Sequence, residues 1–207
     1  MTVAVVSFQT RKLLLDCLAA LRADVDAGRI RVCVVDNRST DGSAAAAREH
    51  APWAEVITPE RNLGFGAAVN LVAARSASPW LLAANADIAP HPGALAQLLA
   101  AGTADPRAGA VAPRLILPDG ATQHSVGPFP SVALAVTFAL GAHRLSPRLA
   151  DRLCLDDHWD PRRARTVPWA LAACLLLRRA AFDAIGGFDA RQWMYAEDLD
   201  FGWRLRD

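Results

Sequence analysis

The sequence carries almost no net charge: 22 Lys and Arg stand against 21 Asp and Glu, a formal charge of +1. So weak a field draws in no polyanion, which excludes nucleic acid as a partner and favours small-molecule chemistry. Long apolar runs are missing too. The longest, Val132 to Ala142 broken by Thr137 and Trp169 to Leu177, fall well short of the roughly 18 residues of a membrane span, so any membrane contact is peripheral. The amino terminus, Met1-Thr2-Val3-Ala4-Val5-Val6, has neither the basic flank nor the small-residue cleavage site of a signal peptide and reads as a strand. Cysteine is sparse: Cys17, Cys33, Cys154 and Cys174 show no zinc spacing, and three of them sit inside apolar runs where a thiol behaves as a small hydrophobe. These absences predict a reduced, cytoplasmic protein, peripheral at the inner membrane face at most. No glycine occurs in Ser7-Phe8-Gln9-Thr10-Arg11 after the first apolar run. The dinucleotide fingerprint and the phosphate-cradling loop are therefore absent, and hydride transfer and phosphate-loop hydrolysis lose their support. The histidines His50, His91, His124, His143 and His158 are scattered without metal-ligand spacing, and no serine has a nucleophile-elbow context.

What is present is an alternation of short apolar runs with helical patterns. The 207 residues, 53% hydrophobic, suffice for one domain with a substantial core. Strands are predicted at Val3–Val6, Arg31–Val35, Val56–Thr58, Trp80–Ala84 and Val111–Leu117. Between them lie helices from Arg11, at Ser43–His50, at Ala67–Arg75, and from Pro92 to about Ala101 with Gly102 as its stop. Fully apolar strands alternating with helices predict an α/β fold with a mainly parallel sheet covered on both faces. Residues 118–168, punctuated by prolines, read as a partly irregular insertion. A strand at Trp169–Leu177, a short helix at Arg179–Ile185 stopped by Gly186-Gly187, a loop and a last helix at Glu197–Arg206 follow.

In open α/β sheets ligands bind beyond the carboxyl ends of the strands, so acids placed just there are the candidates. Asp36 follows the second strand, where a carboxylate, offering only acceptors, suits a ribose or a base edge. An ordinary loop aspartate is the bland reading, with Asp41 as the better helix cap. Asn85-Ala86-Asp87 places two oxygen-bearing side chains on one side of an extended segment, fit for a hard cation such as magnesium or manganese that would bridge a diphosphate. Gly64 and Gly66 before a helix serve equally as a tight turn or a phosphate contact. Glu197, Asp198 and Asp200 open the last helix, where the macrodipole alone favours acids. Trp193, Met194, Tyr195, Phe201 and Trp203 nearby predict a partly dry pocket in which a carboxylate would serve as a base.

Four segments together resemble the family-2 glycosyltransferases, especially their rhamnosyltransferase-like branch. They are Val5-Val6-Ser7-Phe8-Gln9-Thr10; Val34-Val35-Asp36-Asn37-Arg38-Ser39-Thr40-Asp41-Gly42-Ser43; Asn62-Leu63-Gly64-Phe65-Gly66 with Asn85-Ala86-Asp87; and Gly186-Gly187-Phe188-Asp189 with Glu197-Asp198-Leu199-Asp200. The resemblance implies the GT-A fold, with residues 1–117 as the nucleotide-binding half and 118–207 as the acceptor-side half. It implies that Ser7, Phe8, Gln9 and Asp36 contact the nucleoside, with Asn62 and Gly64 on the same donor side. Asn85 and Asp87 stand at the metal motif, holding Mn2+ or Mg2+. Asp198 matches the general base and Glu197 supports the acceptor. The implied reaction is a single inverting displacement from a nucleotide-diphospho-sugar, dTDP-rhamnose or a UDP-hexose, onto a glycan, lipid-linked or small-molecule hydroxyl. Such activity belongs to cell-surface polysaccharide synthesis. Gln9 stands where the family usually has Asn, Asn85 replaces the first acid of the metal motif, and Ala172 stands where a Gly-Ala pair usually begins. Family members also continue past the last helix to a strand bearing a His that completes the metal site, so the resemblance implies an acceptor half cut short at its carboxyl end. Two other readings compete: a sugar nucleotidyltransferase, which would show a Gly-rich, Arg-containing loop after the first strand, and a non-catalytic nucleotide-sugar-binding module.

Overall fold

The computed structural model describes residues 1–141, 146–154 and 160–206; His143, His158 and Asp207 lie outside the described residues. Four short apolar runs form parallel strands: β1 (Thr2–Ser7), β2 (Arg31–Asp36), β3 (Glu55–Ile57) and β4 (Trp80–Asn85). Each is followed by a helix: α1 (Arg11–Asp26), α2 (Ser43–His50), α3 (Phe65–Ala74) and α4 (Ala94–Ala104). The main sheet has the order β3-β2-β1-β4-β10-β5, with β10 (Cys174–Arg178) antiparallel to both β4 and β5 (Ala110–Val111). Strand residues alternate between the two faces. Val3, Val5, Val34 and Leu82 meet Leu14, Leu18 and Leu21 of α1 and Leu95 and Leu98 of α4 on one side. Ala4, Val35, Leu81 and Leu177 meet Val69 and Val72 of α3, and Phe182, Phe188 and Phe201, on the other. Burying each such leucine contributes roughly 1.5–3 kcal/mol, so the sheet is a firm platform for whatever its strand ends carry.

The structure corrects several predicted elements. Val111–Leu117 is two strands: β5 at the sheet edge, and β6 (Leu115–Ile116), which turns away to pair with β7 (Thr122–Gln123). Pro113 lies between them, and a proline has no N–H to continue a ladder. Trp169–Leu177 is likewise split: β9 (Trp169–Ala170) pairs with β8 (Val126–Gly127), and β10 joins the main sheet. Gly102 does not stop α4, which runs on to Ala104. A Cβ at Gly102 would lie 2.6 Å from the Trp80 ring, so the glycine makes room for the indole. That helix also begins after Pro92, with Gly93 at φ +81° before it. The insertion is less irregular than predicted, for it holds β7, β8, α5 (Val132–Ala139) and α6 (Pro147–Arg152). After β10 come α7 (Arg179–Ala184) and α8 (Glu197–Arg206). All four cysteines are buried free thiols, and burial pushes those of Cys17 and Cys174 up to about 12.

Candidate active site

The parallel register sets Ser7 opposite Asp36 and Val6 opposite Asn85, so the carboxyl ends of β1, β2 and β4 open at one edge. Asp36 is fully buried. Its Oδ1 accepts from the Ser39 amide at 2.8 Å, and its Oδ2 has no hydrogen-bond partner among the described residues. It does not cap α2, and neither does Asp41: the N-cap is Gly42, with no side-chain cap bond. Asp41, one residue earlier, braces the turn by accepting from the Ser43 hydroxyl at 2.6 Å and amide at 3.0 Å and from the Arg11 amide at 2.9 Å. These bonds, the Ser43 hydroxyl first, hold its carboxyl below the usual range. Ser7 Oγ lies 2.9 Å from Thr10 Oγ1, and Phe8 is 48% exposed. Gln9, left-handed at φ +57°, binds Ser39 through its backbone amide and exchanges two hydrogen bonds with Thr40. The Gln9 side chain therefore joins the loops after β1 and β2 to each other.

Sequence reasoning missed two asparagines. Asn37 donates to the Gly64 carbonyl at 3.1 Å and accepts from the Leu63 amide at 3.2 Å, holding the 62–66 loop against the end of β2. Asn62 Oδ1 accepts from the Gly64 amide at 2.9 Å. Asn70, on α3, donates to the Phe188 carbonyl at 2.7 Å and accepts from its amide at 3.0 Å. An Asn one turn into an apolar helix gave no signal beyond its polarity. Gly64 and Gly66 serve chain packing: a Cβ at Gly64 would lie 2.0 Å from the Trp193 carbonyl oxygen, and one at Gly66 2.8 Å from Phe188 Cβ. The glycine loop and the loop before α8 are thus in direct contact.

Asn85 ends β4, but Ala86-Asp87 forms a turn and not the predicted extended segment. The Asp87 carboxylate is exposed and has no hydrogen-bond or ion-pair partner among the described residues. The decisive geometry lies at the break between β9 and β10. Ala173 accepts at 2.9 Å from the Asn85 amide, and the Ala172 amide donates at 3.3 Å to Asp198 Oδ2. The Leu171 amide donates at 2.8 Å to the Ser125 carbonyl. Residues that change strand partners here bring the end of β4 and the start of α8 together. Asp198 Oδ1 also accepts from the Leu199 amide at 2.8 Å. Beside it, Glu197 is half-buried with Oε2 lacking a partner among the described residues. Burial first, and then the Asp198 charge, push its carboxyl above the usual range. Tyr195 and Ala196, at φ +66° and +63°, are left-handed non-glycine residues immediately before the pair, a strained conformation typical of functional sites.

The predicted dry aromatic pocket is not found. Trp193, Met194, Tyr195 and Trp203 are exposed, and Phe201 is committed to the core with Phe182 and Phe188. Trp193 and Tyr195 stand on an exposed loop, and Trp203, on the outer face of a short helix, meets Phe129 at one edge only in part, which leaves the wall open. In place of that pocket, an open cavity of about 250 Å³ runs beside α8, lined by Phe129, Pro130, Gln192, Ala196, Leu199, Asp200 and Trp203. Asp200 is bound by Arg204 at 2.6 Å, and Arg204 also donates to the carbonyls of Ile185 and Gly187. Its role is to fasten α8 to the preceding loop. Among the described residues no three His, Cys, Asp or Glu side chains gather to hold a metal; Asp87 offers one hard oxygen ligand facing solvent.

This sheet, with an antiparallel strand laid against β4, is the GT-A fold of nucleotide-sugar transferases. The structure matches the mannosyltransferase PcManGT of Pyrobaculum calidifontis, solved with GDP-Man and Mn2+, at TM-score 0.66 and 21% identity, over 97% of this chain and 50% of that one. It matches S. aureus TarS 1-349 in complex with UDP at TM-score 0.62 and 17% identity, over 97% and 53%. Residues 2–137 match the model for glycosyl transferase family 2, and the chain belongs to that family. It is 35% identical over 187 residues to the N-acetylglucosaminyl-diphospho-decaprenol L-rhamnosyltransferase of Mycobacterium tuberculosis, covering 85% of this chain and 61% of the relative. The chain thus spans between half and two thirds of the length of these proteins.

Proposed function

We propose that the chain carries the donor-binding and catalytic elements of an inverting glycosyltransferase that moves a sugar from a nucleotide diphosphate to an acceptor hydroxyl. The observation that carries this reading is the convergence at Leu171–Ala173, where one short break is bonded to both Asn85 and Asp198. Donor diphosphate beside Asp87 and acceptor hydroxyl beside Asp198 then fall on neighbouring sides of one site. Asp36, with an acceptor oxygen buried and unpaired, is complementary to an N–H of a pyrimidine base or a ribose hydroxyl, because a donor there would satisfy a group that is otherwise costly to bury. Asn85 and Asp87 fit a hard divalent cation as oxygen ligands, the donor's phosphates and water supplying the rest. Such a cation would neutralise charge on the departing diphosphate. Asp198, its oxygens oriented by two backbone amides, takes the proton of the acceptor hydroxyl as that oxygen bonds to the anomeric carbon and the nucleoside diphosphate leaves from the opposite face. The mycobacterial relative's name points to dTDP-rhamnose as first donor to try and a lipid-linked sugar as acceptor; UDP-hexoses come second.

The test is titration calorimetry with dTDP and UDP, with and without manganese, alongside release of nucleoside diphosphate from dTDP-rhamnose and UDP-hexoses. Manganese-dependent binding, weakened roughly tenfold or more in Asp87→Asn, supports the metal assignment. Equal affinity with and without manganese removes it. Binding with no release from any donor, in the chain extended to the length of its relatives, favours the binding-module reading.

A further inference from the structure

We propose that α5 and the arginines around it form a docking surface for an anionic phospholipid bilayer. From Pro128 to Gly141 the chain has no charged residue. Within this stretch α5 reads VALAVTFA and none of its residues is buried. Val132 is 82% exposed, Val136 50% and Leu140, just past the helix, 76%. The polar side chains here are spent on the helix itself: Ser131 Oγ accepts from the Leu134 amide at 3.1 Å, and the Thr137 hydroxyl donates to the Ala133 carbonyl at 2.8 Å. The helix therefore offers hydrocarbon on nearly every side while its own polar groups are satisfied internally, the condition a lipid phase imposes. A helix apolar all round belongs in a core or a membrane.

Two features select the bilayer over another protein. A protein groove covers one stripe of a helix, whereas here Val132, Ala133, Ala135, Val136, Phe138 and Ala139 are exposed around it. At about 1.5 Å per residue α5 is roughly 12 Å long, too short to span and suited to lie in the boundary between headgroups and acyl chains. The surroundings match that boundary. Trp203 stands edge-on to Phe129 with ring centroids 5.1 Å apart, and Arg206 lies over both rings at 4.4 and 5.5 Å. Arg162 and Arg163, the latter paired with Asp160 at 3.4 Å, are exposed on the segment leading to Trp169, whose indole donates to the Pro128 carbonyl at 3.0 Å just ahead of α5. Half-exposed aromatics and cations beside an apolar helix fit the headgroup layer. Phe129 and Pro130 also line the cavity beside α8, so docking would set that cavity at the lipid surface. This last consequence rests on the glycosyltransferase reading; docking does not.

The experiment is co-sedimentation of the full chain with vesicles of phosphatidylcholine alone and of an equimolar mixture with phosphatidylglycerol. The chain is expected to pellet with the mixed vesicles, less so at high salt. Val132→Asp combined with Leu140→Asp should cut the bound fraction about tenfold or more by placing charge at the apolar boundary, and Arg162→Glu with Arg163→Glu should cut it less. Circular dichroism and dTDP or UDP binding should be unchanged in all variants, since none of these residues lies in the core or at the strand ends. Wild type remaining in the supernatant with both vesicles overturns the proposal, as does a double-aspartate variant that binds like wild type. A lipid-free dimer in sedimentation velocity that Val132→Asp dissolves would make a second copy the occupant and also overturn it. Vesicle binding, with no release from any nucleotide sugar by the chain extended to the length of its relatives, would sink the glycosyltransferase reading and leave the docking surface standing.

Discussion

Between β1 and β4 the chain buries Val3, Val5, Val34 and Leu82 at 0% exposure and fastens its strand-end loops by side chains: Gln9 to Thr40, Asn37 to Gly64, Asp41 to Ser43 and Arg11. Beyond residue 117, β10 apart, the ladders are two residues long, α5 buries nothing, and Trp193, Tyr195 and Trp203 are exposed. The comparison teaches where each kind of specificity comes from. A nucleotide is a fixed shape, and a prebuilt edge of a parallel sheet suits it. The other half offers apolar and aromatic surface, which on the proposed reading is left for a large or extended partner. The two halves share the main sheet, since β10 lies along β4 from Cys174 to Arg178 and Phe182, Phe188 and Phe201 pack against Val69 and Val72, while their loops meet where Gly64 faces Trp193 and Asn70 binds Phe188. Changes confined to the loop side chains of one half should leave the other readable.

The largest expected effect is on chemistry alone. In the chain extended to the length of its relatives, Asp198→Asn keeps the shape and an acceptor for a backbone amide but loses basicity. Transfer should fall roughly a hundredfold or more while the donor dissociation constant holds. Asp200→Asn, which loses the 2.6 Å bond to Arg204, should cost some thermal stability and little turnover. Turnover near wild type in Asp198→Asn with a dead Asp200→Asn would move the base to Asp200 and undo the assignment.

A smaller effect should come from the seam. Gly64 has φ +80° with ψ near 180°, and an added Cβ would meet the Trp193 carbonyl oxygen. Gly64→Ala should cost about 1–3 kcal/mol in urea unfolding through backbone strain, with more from displacing the loop before α8. Gly28→Ala, at φ +67° with nothing within 4 Å, carries the strain without the collision and should cost less. Equal losses would mean that the contact between halves contributes nothing.

Much of this was legible before any coordinates, and unevenly so. The spans Ser43–His50 and Glu197–Arg206 agree with the sequence reading to the residue, the first because an alanine-rich run follows the polar loop at Asp41-Gly42 and the second because its acids cluster at the start. Asp36, Asn85 and Asp198 are candidates on the sequence alone because ligands in such sheets collect beyond the strand ends, and the structure brings Asn85 and Asp198 to one break in the chain. What the sequence hid was partner choice. Nothing in Trp169–Leu177 announces that Ala170 pairs with Val126 and Leu175 with Ala83, since a continuous apolar run carries no mark of which strand lies beside it. The aromatics around α8 misled for a related reason: enclosure depends on what lies opposite, and composition is silent about that. Gln9 carries a ligand role in the sequence reading, whereas its side chain is bonded to the protein's own Thr40, and the bonds of Asn37 to the 62–66 loop gave no signal in the sequence.

The smallest effect separates two orphaned oxygens, one in each half: Asp36 Oδ2 and Glu197 Oε2. For Glu197 burial raises the carboxyl above its ordinary value of 4.5. Below that value the folded and unfolded chains both hold the proton and nothing is lost. As pH rises through it the unfolded chain ionises first, and stability falls until the folded carboxyl ionises too. Ionised Glu197 therefore costs stability at neutral pH. Glu197→Gln should raise the melting temperature at pH values well above the ordinary carboxylate range and give no gain below pH 4.5. The shift should be modest, because the side chain is only half-buried and water screens its charge. Melting curves across that range decide it. A glutamine variant less stable than wild type at neutral pH would mean that the ionised oxygen has a favourable partner. The acceptor-side orphan would then be a bonded group, leaving Asp36 alone as the oxygen waiting for a ligand.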